Sequence, residues 1–453
     1  MIAPARIAAY DILSAVSAGR SDLATAIASI RATLPNERDR ALVTNIATGV
    51  QRWRATLDHL IVVFSKRSID RLDPEVVDVL RLGAYQLLHL TRVPAAAVVD
   101  DAVDLVGRAG KRSASGFVNA VLRAISRARR ALPLPIRPSD TNDRTAALDY
   151  LSISLSHPRW LAARWLDRLG FDATEAWLRF NNTPARLTLR VNLLWTTPAE
   201  VTARLAERGV LVQPGRFGPD TLVVDDGQPP LDPGLDGRSF VAQDEASQLV
   251  ALLAKARPGA RVLDACASPG GKTTALAAAM DNRGLLVASD VRGRRMDLLR
   301  RTVAASGATN IRLVQADLLK PLPFSRPFDC VLVDAPCSGL GILRRDPDIR
   351  WRRREAELAT FADTQHQMLR HAADGVAAGG RLVYATCSSE PEENEEVVDV
   401  FLREAPDFVA LDARTAAPDL PASVVDERGH LRTLPHVHGL DAFFGAILHR
   451  QPL

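Results

Sequence analysis

The chain has 453 residues, roughly three times the ~150-residue scale of one domain, so two or three folded units are expected. Hydrophobic residues make up 47% and charged residues 24% of the chain, a composition that excludes wholesale disorder. No run approaches the ~18 apolar residues of a bilayer span, and Arg6 interrupts the start. Membrane insertion and secretion are therefore not expected. A cytoplasmic location is expected instead.

The net charge of +4 is unevenly distributed along the chain. Residues 1–150 hold 21 Lys and Arg against 15 Asp and Glu, a net +6, whereas the remainder is at −2. Nearly all the basic residues are arginines, which suit forked contacts with phosphates. The N-terminal excess indicates a polyanionic partner.

Residues 1–135 show apolar residues at helical spacing, which predicts an all-α domain of five or more helices. Its last helix ends in Arg123, Arg127, Arg129 and Arg130. These arginines fit either an RNA-contacting patch or a solvated helix end that complements the helix dipole. Three prolines within 133–138 then favour an extended linker and a domain boundary.

Two further domains are predicted after the linker. Residues 145–235 mix a helical stretch around Trp160 to Leu169 with two strand-like runs, which indicates a small α/β connecting domain. Residues 236–453 alternate short apolar runs with helical stretches. That alternation predicts a parallel, doubly wound sheet whose ligands bind beyond the carboxyl ends of the strands.

A strand, a glycine-containing turn and a helix start are predicted over Arg261 to Thr274. The two glycines permit close approach of a ligand, and the helix start offers free N–H groups. A Walker A loop is excluded because Cys266 stands where its first glycine belongs. The loop alone therefore indicates a nucleotide-like ligand and no more.

The next three predicted strands each end in an aspartate, namely Asp290, Asp317 and Asp334. Helix capping explains any one of them. As an ordered set they suit ribose hydroxyls and an adenine amino group. An adenosine without a phosphate chain, such as S-adenosylmethionine, is the predicted cofactor.

Four cysteines are present, without zinc-site spacing, so no metal is expected. Cys337 and Cys387 follow the fourth and fifth strands at the predicted active edge. The other two cysteines have structural contexts: Cys330 is predicted to be a core residue, and Cys266 is part of the glycine loop. Carbon 5 of cytosine becomes nucleophilic when a thiolate adds to carbon 6, and two cysteines with an aspartate suit that chemistry. The chemistry leaves open which cysteine attacks.

These residues resemble the Sun/Nop-type RNA cytosine-5 methyltransferases of bacteria, over essentially the whole chain. The segment Val118 to Arg123 is similar to the NusB-type RNA-binding domain of family members that act on small-subunit ribosomal RNA. The other matching motifs are Arg190-Val191-Asn192, Gln243 to Ser247, Asp264 to Thr273, Asp334 to Gly341, Arg344, Asp346-Pro347-Asp348, Trp351, Thr386-Cys387-Ser388 and Glu393-Asn394-Glu395.

The resemblance implies a role for each matching residue. Cys387 would be the nucleophile, Cys337 would assist release of the methylated base, and Asp334 would contact the base. Residues implied to hold S-adenosylmethionine are Cys266, Ala267, Ser268, Pro269, Gly270, Gly271, Lys272, Asp290, Asp317 and Asp334. Two small-for-small departures, Ser268 for Ala and Ala442 for Gly, do not change this assignment.

We therefore expect a three-part chain that ends in a Rossmann-like methyltransferase domain and methylates a cytosine of small-subunit ribosomal RNA as a monomer. A cytosine in a stem must be flipped out before carbon 6 is reachable. The arginines expected either to hold the RNA open or to be merely solvated are Arg344, Arg345, Arg350 and Arg352 to Arg354. A tRNA methyltransferase of the same superfamily and a non-catalytic RNA-binding assembly factor are the alternatives.

Overall fold

The structure is a computed structural model and describes residues 2–229 and 238–452. Contacts divide the chain into two compact units. Unit 1 comprises Met1–Pro184 with Leu343–Arg353, and unit 2 comprises Ala185–Ile342 with Arg354–Leu453.

The three predicted domains, 1–135, 145–235 and 236–453, do not map one to one onto these two units. Contacts group the helices that follow residue 135 with the N-terminal helices, up to Pro184. The boundary at 235/236 lies outside the described residues. The three-domain division accordingly stays a prediction, while the predicted types of structure are confirmed below.

Unit 1 begins with an all-helical region, as predicted. Its helix α5 (Pro74–His89) starts with proline at the first helical position, where a missing N–H costs nothing. Every residue from Val76 to Gln86 is buried, so α5 is a central helix rather than an amphipathic surface helix. The other α-helices of unit 1 that precede residue 185 are α1 (Pro4–Ser17), α2 (Leu23–Arg31), α3 (Glu37–Arg52), α4 (Arg54–Ser65), α6 (Ala95–Arg108), α7 (Ser115–Ala128), α8 (Arg144–Asp149), α9 (Arg159–Leu169) and α10 (Phe171–Asn181).

The segment Leu343–Arg353 belongs to unit 1 although it lies late in the chain. The side chain of Arg350 is fully buried there. Its guanidinium donates to the carbonyl of Ser156 at 3.0 Å and to the side chain of Asn182 at 3.1 Å. Trp351 donates its indole N–H to the carbonyl of Gln51 at 2.6 Å.

These contacts correct the expectation for Arg350, which is neither a solvated nor an RNA-facing residue. A buried guanidinium is stabilised by acceptors such as these carbonyls, and its forked donors link separate chain segments. Arg344 also packs inside the unit, with its guanidinium 4.1 Å from the ring centre of Phe180. A run of arginine letters alone does not distinguish such packing from an exposed basic surface.

Unit 2 begins with a small antiparallel sheet, in the order β2-β3-β1-β4. The strands are β1 (Thr188–Val191), β2 (Leu211–Pro214), β3 (Thr221–Asp226) and β4 (Phe240–Ala242), and helix α11 (Pro198–Ala206) lies between the first two. Helix α11 starts with a capping box, in which Thr197 and Glu200 bond each other's backbone N–H groups. The predicted mixture of helix and strand in the connecting region is confirmed.

The remainder of unit 2 forms the large sheet and its helices. The strands are β5 (Arg261–Asp264), β6 (Leu285–Asp290), β7 (Ile311–Gln315), β8 (Phe328–Asp334), β9 (Val376–Thr386), β10 (Phe408–Leu411), β11 (Leu431–Arg432) and β12 (Phe444–Arg450). The helices are α12 (Glu245–Leu253), α13 (Gly271–Ala279), α14 (Gly293–Ser306), α16 (Glu357–Asp374), α17 (Glu395–Glu404), α18 (Ala413–Ala416) and α19 (Pro435–His438), while α15 (Ile349–Arg352) belongs to unit 1.

The strand order β10-β12-β9-β8-β5-β6-β7 gives a doubly wound sheet with β5 near its centre. Neighbouring residues of β5 point to opposite faces, so Val262 joins the core beneath α12 to α14 and Leu263 joins the core beneath α16 and α17. Strands β5 to β9 are parallel, as predicted. The structure adds antiparallel strands that the sequence analysis did not identify, because β12 pairs antiparallel with β9 and β10 antiparallel with β12.

Within residues 2–229 and 238–452, no helix has the length and apolar character that crossing a bilayer requires.

Candidate active site

The glycine loop connects β5 to α13 at the carboxyl edge of the parallel strands. Gly270 has a φ of +108°, a conformation that disfavours other residues, and α13 begins at the next residue. Asp264 at the end of β5 accepts a hydrogen bond from the Thr273 hydroxyl at 2.7 Å. Its other oxygen, Oδ1, is buried and has no hydrogen-bond partner among the described residues.

Burial raises the pKa of Asp264 to about 7, and the nearby charges of Asp334 and Asp290 add to the rise. Burial also raises the pKa of the Cys266 thiol, with the same three carboxylates contributing. The fold therefore brings Asp264, at the end of β5, together with two of the three strand-end aspartates of the sequence analysis, Asp290 and Asp334. The result is a cluster of acidic groups around the loop.

Asp290 and Asp317 lie further along the same edge. Asp290 is almost fully buried, accepts a hydrogen bond from the backbone N–H of Arg292 at 3.3 Å, and lies 3.7 Å from the guanidinium of Arg295. Asp317 follows the end of β7 by two residues and accepts from the backbone N–H of Leu319 at 3.0 Å. Both carboxylates retain acceptor capacity beyond these bonds.

Lys272 lies in the first turn of α13, and its ammonium group donates to Asp334 at 2.7 Å and to the Ser247 hydroxyl at 3.1 Å. The ammonium also lies 5.6 Å from the ring centre of Phe443. Burial alone would lower the pKa of Lys272, but the Asp334 carboxylate outweighs it and the pKa is raised. The charge of Cys387 contributes to the same rise, so this ammonium is within electrostatic reach of that sulfur.

Cys337 and Cys387 come from loops that follow the adjacent strands β8 and β9. Their sulfur atoms are 3.1 Å apart, within hydrogen-bonding distance for a thiol and a sulfur acceptor. A hydrogen bond to Cys387, followed by burial, raises the pKa of Cys337 well above its ordinary value. The neighbouring sulfur and burial thus make the Cys337 thiol hard to ionise.

Gly341 permits the close approach of the two cysteine loops and the segment before β12. Its N–H donates to the Cys387 carbonyl at 2.9 Å, and its carbonyl accepts from the N–H of Ala442 at 2.9 Å. A Cβ atom at Gly341 would lie 2.1 Å from the carbonyl oxygen of Ala442 and 2.7 Å from that of Cys387. Only glycine fits at that position.

The other two cysteines lie where their sequence contexts indicated. Cys330 is buried inside β8 and joins the sheet core. Cys266 stays in the glycine loop and packs against the opposite core. In the part of the chain that the structure describes, no group of His, Cys, Asp and Glu has an arrangement that could hold a metal ion.

Several residues around the site have contacts that their sequence motifs did not reveal. Ser247 and Phe443 both lie against the Lys272 ammonium, and a buried Glu393 joins the two cysteine loops. Ser247 and Glu393 lie in motifs of the family resemblance, which gave them no role. The tertiary fold brings Ser247 to Lys272 and Glu393 to the two cysteine loops, and neither contact can be inferred from the motifs.

Three family models match the chain. Residues 3–127 match the NusB family, 157–229 match the ferredoxin-like domain of RsmF/B-like methyltransferases, and 251–449 match the 16S rRNA methyltransferase RsmB/F model. The third match contains both cysteines and the glycine loop.

Curated proteins and solved structures are similar over nearly the full length. The "Probable ribosomal RNA small subunit methyltransferase B" of Bacillus subtilis is 33% identical and covers 90% of each chain. The ribosomal RNA small subunit methyltransferase B of Pseudomonas syringae pv. tomato is 32% identical, covering 98% of this chain and 96% of its own. The crystal structure of PH0851 superposes with a TM-score of 0.81 at 26% identity, covering 99% of this chain and all of the other.

Proposed function

Because the chain belongs to the RsmB/F family of 16S rRNA methyltransferases, we propose that it methylates carbon 5 of a cytosine in small-subunit ribosomal RNA, with S-adenosylmethionine as the methyl donor. The observation that carries this proposal is the pair of sulfur atoms of Cys337 and Cys387, 3.1 Å apart beside the Lys272–Asp334 ion pair. An oxygen or nitrogen atom that is already nucleophilic can be methylated without a thiol. Carbon 5 of cytosine must first be activated, and a thiol that adds to carbon 6 does this.

Cys387 is the proposed nucleophile. Its sulfur lone pair forms a bond to carbon 6, and the electrons of the 5,6 double bond then make carbon 5 nucleophilic. A thiol of ordinary pKa is only a few per cent ionised at neutral pH, so the attacking sulfur needs a nearby positive charge or hydrogen-bond donor. Lys272 supplies the charge and the Cys337 thiol supplies the donor.

Cys337 assists release. After methyl transfer, water takes the proton on carbon 5. The C–H electron pair forms the 5,6 double bond as the carbon–sulfur bond breaks, and the electrons of that bond leave on Cys387 as a thiolate. A hydrogen bond from the Cys337 thiol stabilises that departing charge, which is the role expected of a group that keeps its own proton.

Asp334 is proposed to contact the base through the oxygen that its ion pair leaves available. Its side chain keeps about a quarter of its surface exposed, whereas Lys272 is largely buried behind it. Lys272 thus fixes the orientation of the carboxylate. A cytosine amino group is a suitable donor for it.

The loop residues fit S-adenosylmethionine better than a nucleoside phosphate. The cluster of Asp264, Asp290 and Asp334 repels phosphate and favours hydroxyls, an amino group and a positive sulfonium. The unsatisfied buried oxygen of Asp264 is a further acceptor at the same position. When bound, the cofactor supplies an electrophilic methyl group, and the remaining proposed holders are residues 266–272 and Asp317.

The proposal further includes RNA binding by the basic helical part of the chain, a monomeric state, no metal ion and a cytoplasmic location, where ribosomal RNA is found. The exposed arginines at the end of α7 support the RNA-binding role, because several guanidinium groups there are available to phosphates.

Replacing Asp290 by Ala is expected to weaken S-adenosylmethionine binding by about one to two decades. A hydrogen bond to a carboxylate contributes about 1.5–3 kcal/mol, and ~1.4 kcal/mol corresponds to tenfold. Titration calorimetry on the folded variant measures the change. Asp297→Ala on the exposed face of α14 is the matched control, and equal affinity for the two variants would remove Asp290 from the cofactor site.

The proposed function is tested with RNA that carries tritium at carbon 5 of cytosine. Methylation at carbon 5 must release that tritium to water in a one-to-one ratio with methyl groups incorporated. Small-subunit ribosomal RNA is the test substrate and a tRNA pool is the control. Methyl incorporation without tritium release would refute the carbon 5 assignment, and a preference for tRNA would favour the alternative substrate.

A further inference from the structure

Glu393 is a fully buried carboxylate that lies between the two cysteine loops. Its Oε1 accepts from the backbone N–H of Ser338 at 2.7 Å and from the side-chain amide of Gln365 at 2.9 Å. Its Oε2 accepts from the hydroxyl groups of Ser338 and Ser388. Four donors therefore converge on one side chain.

Each cysteine is directly connected to one of these donors. Ser338 follows Cys337 in the chain, and Ser388 follows Cys387. Gln365 in α16 also donates to the carbonyl of Pro336 at 3.0 Å, the residue before Cys337. The carboxylate of Glu393 is thus the common acceptor that links the two loops.

The backbone of Glu393 is held as firmly as its side chain. The hydroxyl of Tyr384, inside β9, donates to the Glu393 carbonyl at 2.6 Å. The carboxylate therefore has a fixed position relative to the strand that carries Cys387. A shift of either loop would break at least one hydrogen bond to a buried charge, which is costly.

The donor set also indicates the charge of Glu393. An ionised carboxylate is an acceptor with about four lone-pair positions, whereas a protonated carboxyl group must donate one hydrogen bond. All four groups that contact the carboxylate, on three residues, act as donors, so the arrangement matches the ionised form. Burying such a charge is favourable only because every lone pair is satisfied.

The Glu393 carboxylate accepts two hydrogen bonds from the residue after Cys337 and one from the residue after Cys387, so its negative charge lies against the Cys337 loop. The hydrogen bond to Cys387 is the largest cause of the raised pKa of Cys337, and burial is the second. The charges of Cys387 and Glu393 add to the rise, and the N–H of Gly339 opposes it. The other titratable groups around the pair are Tyr384, whose own pKa burial raises, and the Lys272–Asp334 pair. The Lys272 ammonium is within electrostatic reach of Cys387.

We propose that Glu393 is a positioning residue that holds the two cysteine loops together and, through its negative charge, keeps the proton on Cys337, so that Cys387 is the sulfur available for attack. The inference rests on the proposed thiolate function. It adds the group that makes two chemically identical side chains unequal. No substrate atom needs to touch Glu393 for this effect.

The charge is tested by the alkylation of Cys337 with iodoacetamide over a range of pH, in the full chain carrying Cys387→Ala. In that background the contribution of Cys387 is gone, and the contribution of Glu393 remains. Glu393→Gln keeps the shape of the side chain and removes the charge, so the midpoint of Cys337 alkylation should fall by about one pH unit or more. Glu390→Gln, at a second buried carboxylate of the same segment, is the matched control and should leave the midpoint unchanged.

An unchanged midpoint in folded Glu393→Gln, or an equal fall in Glu390→Gln, would overturn the electrostatic role. Mass spectrometry of the Cys337 peptide separates its alkylation from that of Cys266 and Cys330. The measurement uses neither RNA nor cofactor. A negative result in the methylation assay would therefore leave the alkylation result intact. An unchanged alkylation midpoint would likewise leave the proposed methylation intact.

The linking role is tested separately with both cysteines present, which also covers the case in which Glu393→Gln does not fold. Dibromobimane becomes fluorescent when it bridges two thiols. Replacing Ser338 and Ser388 together by Ala removes the two hydroxyl links between the Glu393 carboxylate and the cysteine loops. We expect bridging at least about tenfold slower than in the unaltered protein. Bridging at the unaltered rate would overturn the linking role.

Discussion

Cys387→Ala is expected to abolish both methyl transfer and covalent attachment to RNA, whereas Cys337→Ala should still attack and transfer the methyl group but accumulate a protein–RNA adduct. The first variant lacks the sulfur that bonds to carbon 6, so its rate should fall by about 10⁴-fold or more. The second lacks the donor, 3.1 Å away, that stabilises the departing thiolate. Denaturing electrophoresis of labelled RNA measures the adduct.

The double variant is the internal control for this order of events. It should form no adduct, because the bond-forming sulfur acts first. An adduct in Cys387→Ala and none in Cys337→Ala would reverse the roles of the two cysteines. Full activity of Cys387→Ala would refute the thiolate mechanism as assigned.

Lys272→Met is expected to lower kcat by about 10²- to 10³-fold, the usual cost of removing one electrostatic donor from a water-poor site. Methionine keeps most of the length of the side chain and removes the charge that is shared by Asp334 and Cys387. The loss should appear in single-turnover methyl transfer and in the rate of adduct formation, and it should shrink as pH rises because more Cys387 is then ionised.

Lys320→Met is the matched control, since Lys320 is exposed in the turn after β7. It should leave single-turnover rates unchanged. If Lys272→Met raised KM alone, with the rate at saturation retained, Lys272 would serve substrate binding without activating the thiolate.

The parallel part of the fold was predictable because its signals are local. Val262-Leu263 and Val331-Leu332 are short apolar runs buried on both faces of the sheet, and each is followed by an aspartate at the strand end. The same logic placed Cys337 and Cys387 at one edge, since the carboxyl ends of adjacent parallel strands meet there. The sequence order of the motifs thus carried spatial information.

Strands β10 to β12 were missed because their pairing is non-local. Phe444–Arg450 follows a long segment of turns and short helices, and its partner β9 lies well before it in the chain. Antiparallel pairing at the edge of a parallel sheet depends on that return of the chain rather than on a composition signal.

The burial of Arg350 and the position of Glu393 were hidden for a related reason. Arginine and glutamate letters usually mark solvated surface, and burial becomes favourable only when specific partners are in place. Those partners, such as Asn182 for Arg350 and Gln365 for Glu393, are remote in sequence. The sequence identified the two cysteines as candidate catalytic residues. The contacts of the group that is proposed to make them unequal, Glu393, are found only in the folded structure.

The most direct test of the central claim uses small-subunit RNA in which cytosine is replaced by 5-fluorocytosine. Fluorine on carbon 5 cannot leave as a proton does, so an enzyme that attacks carbon 6 and transfers a methyl group to carbon 5 must stop as a stable covalent complex. Protease digestion and mass spectrometry then identify the attached residue. The account predicts a methylated nucleotide bonded to Cys387, and attachment at Cys337 or the absence of any cofactor-dependent complex would contradict it.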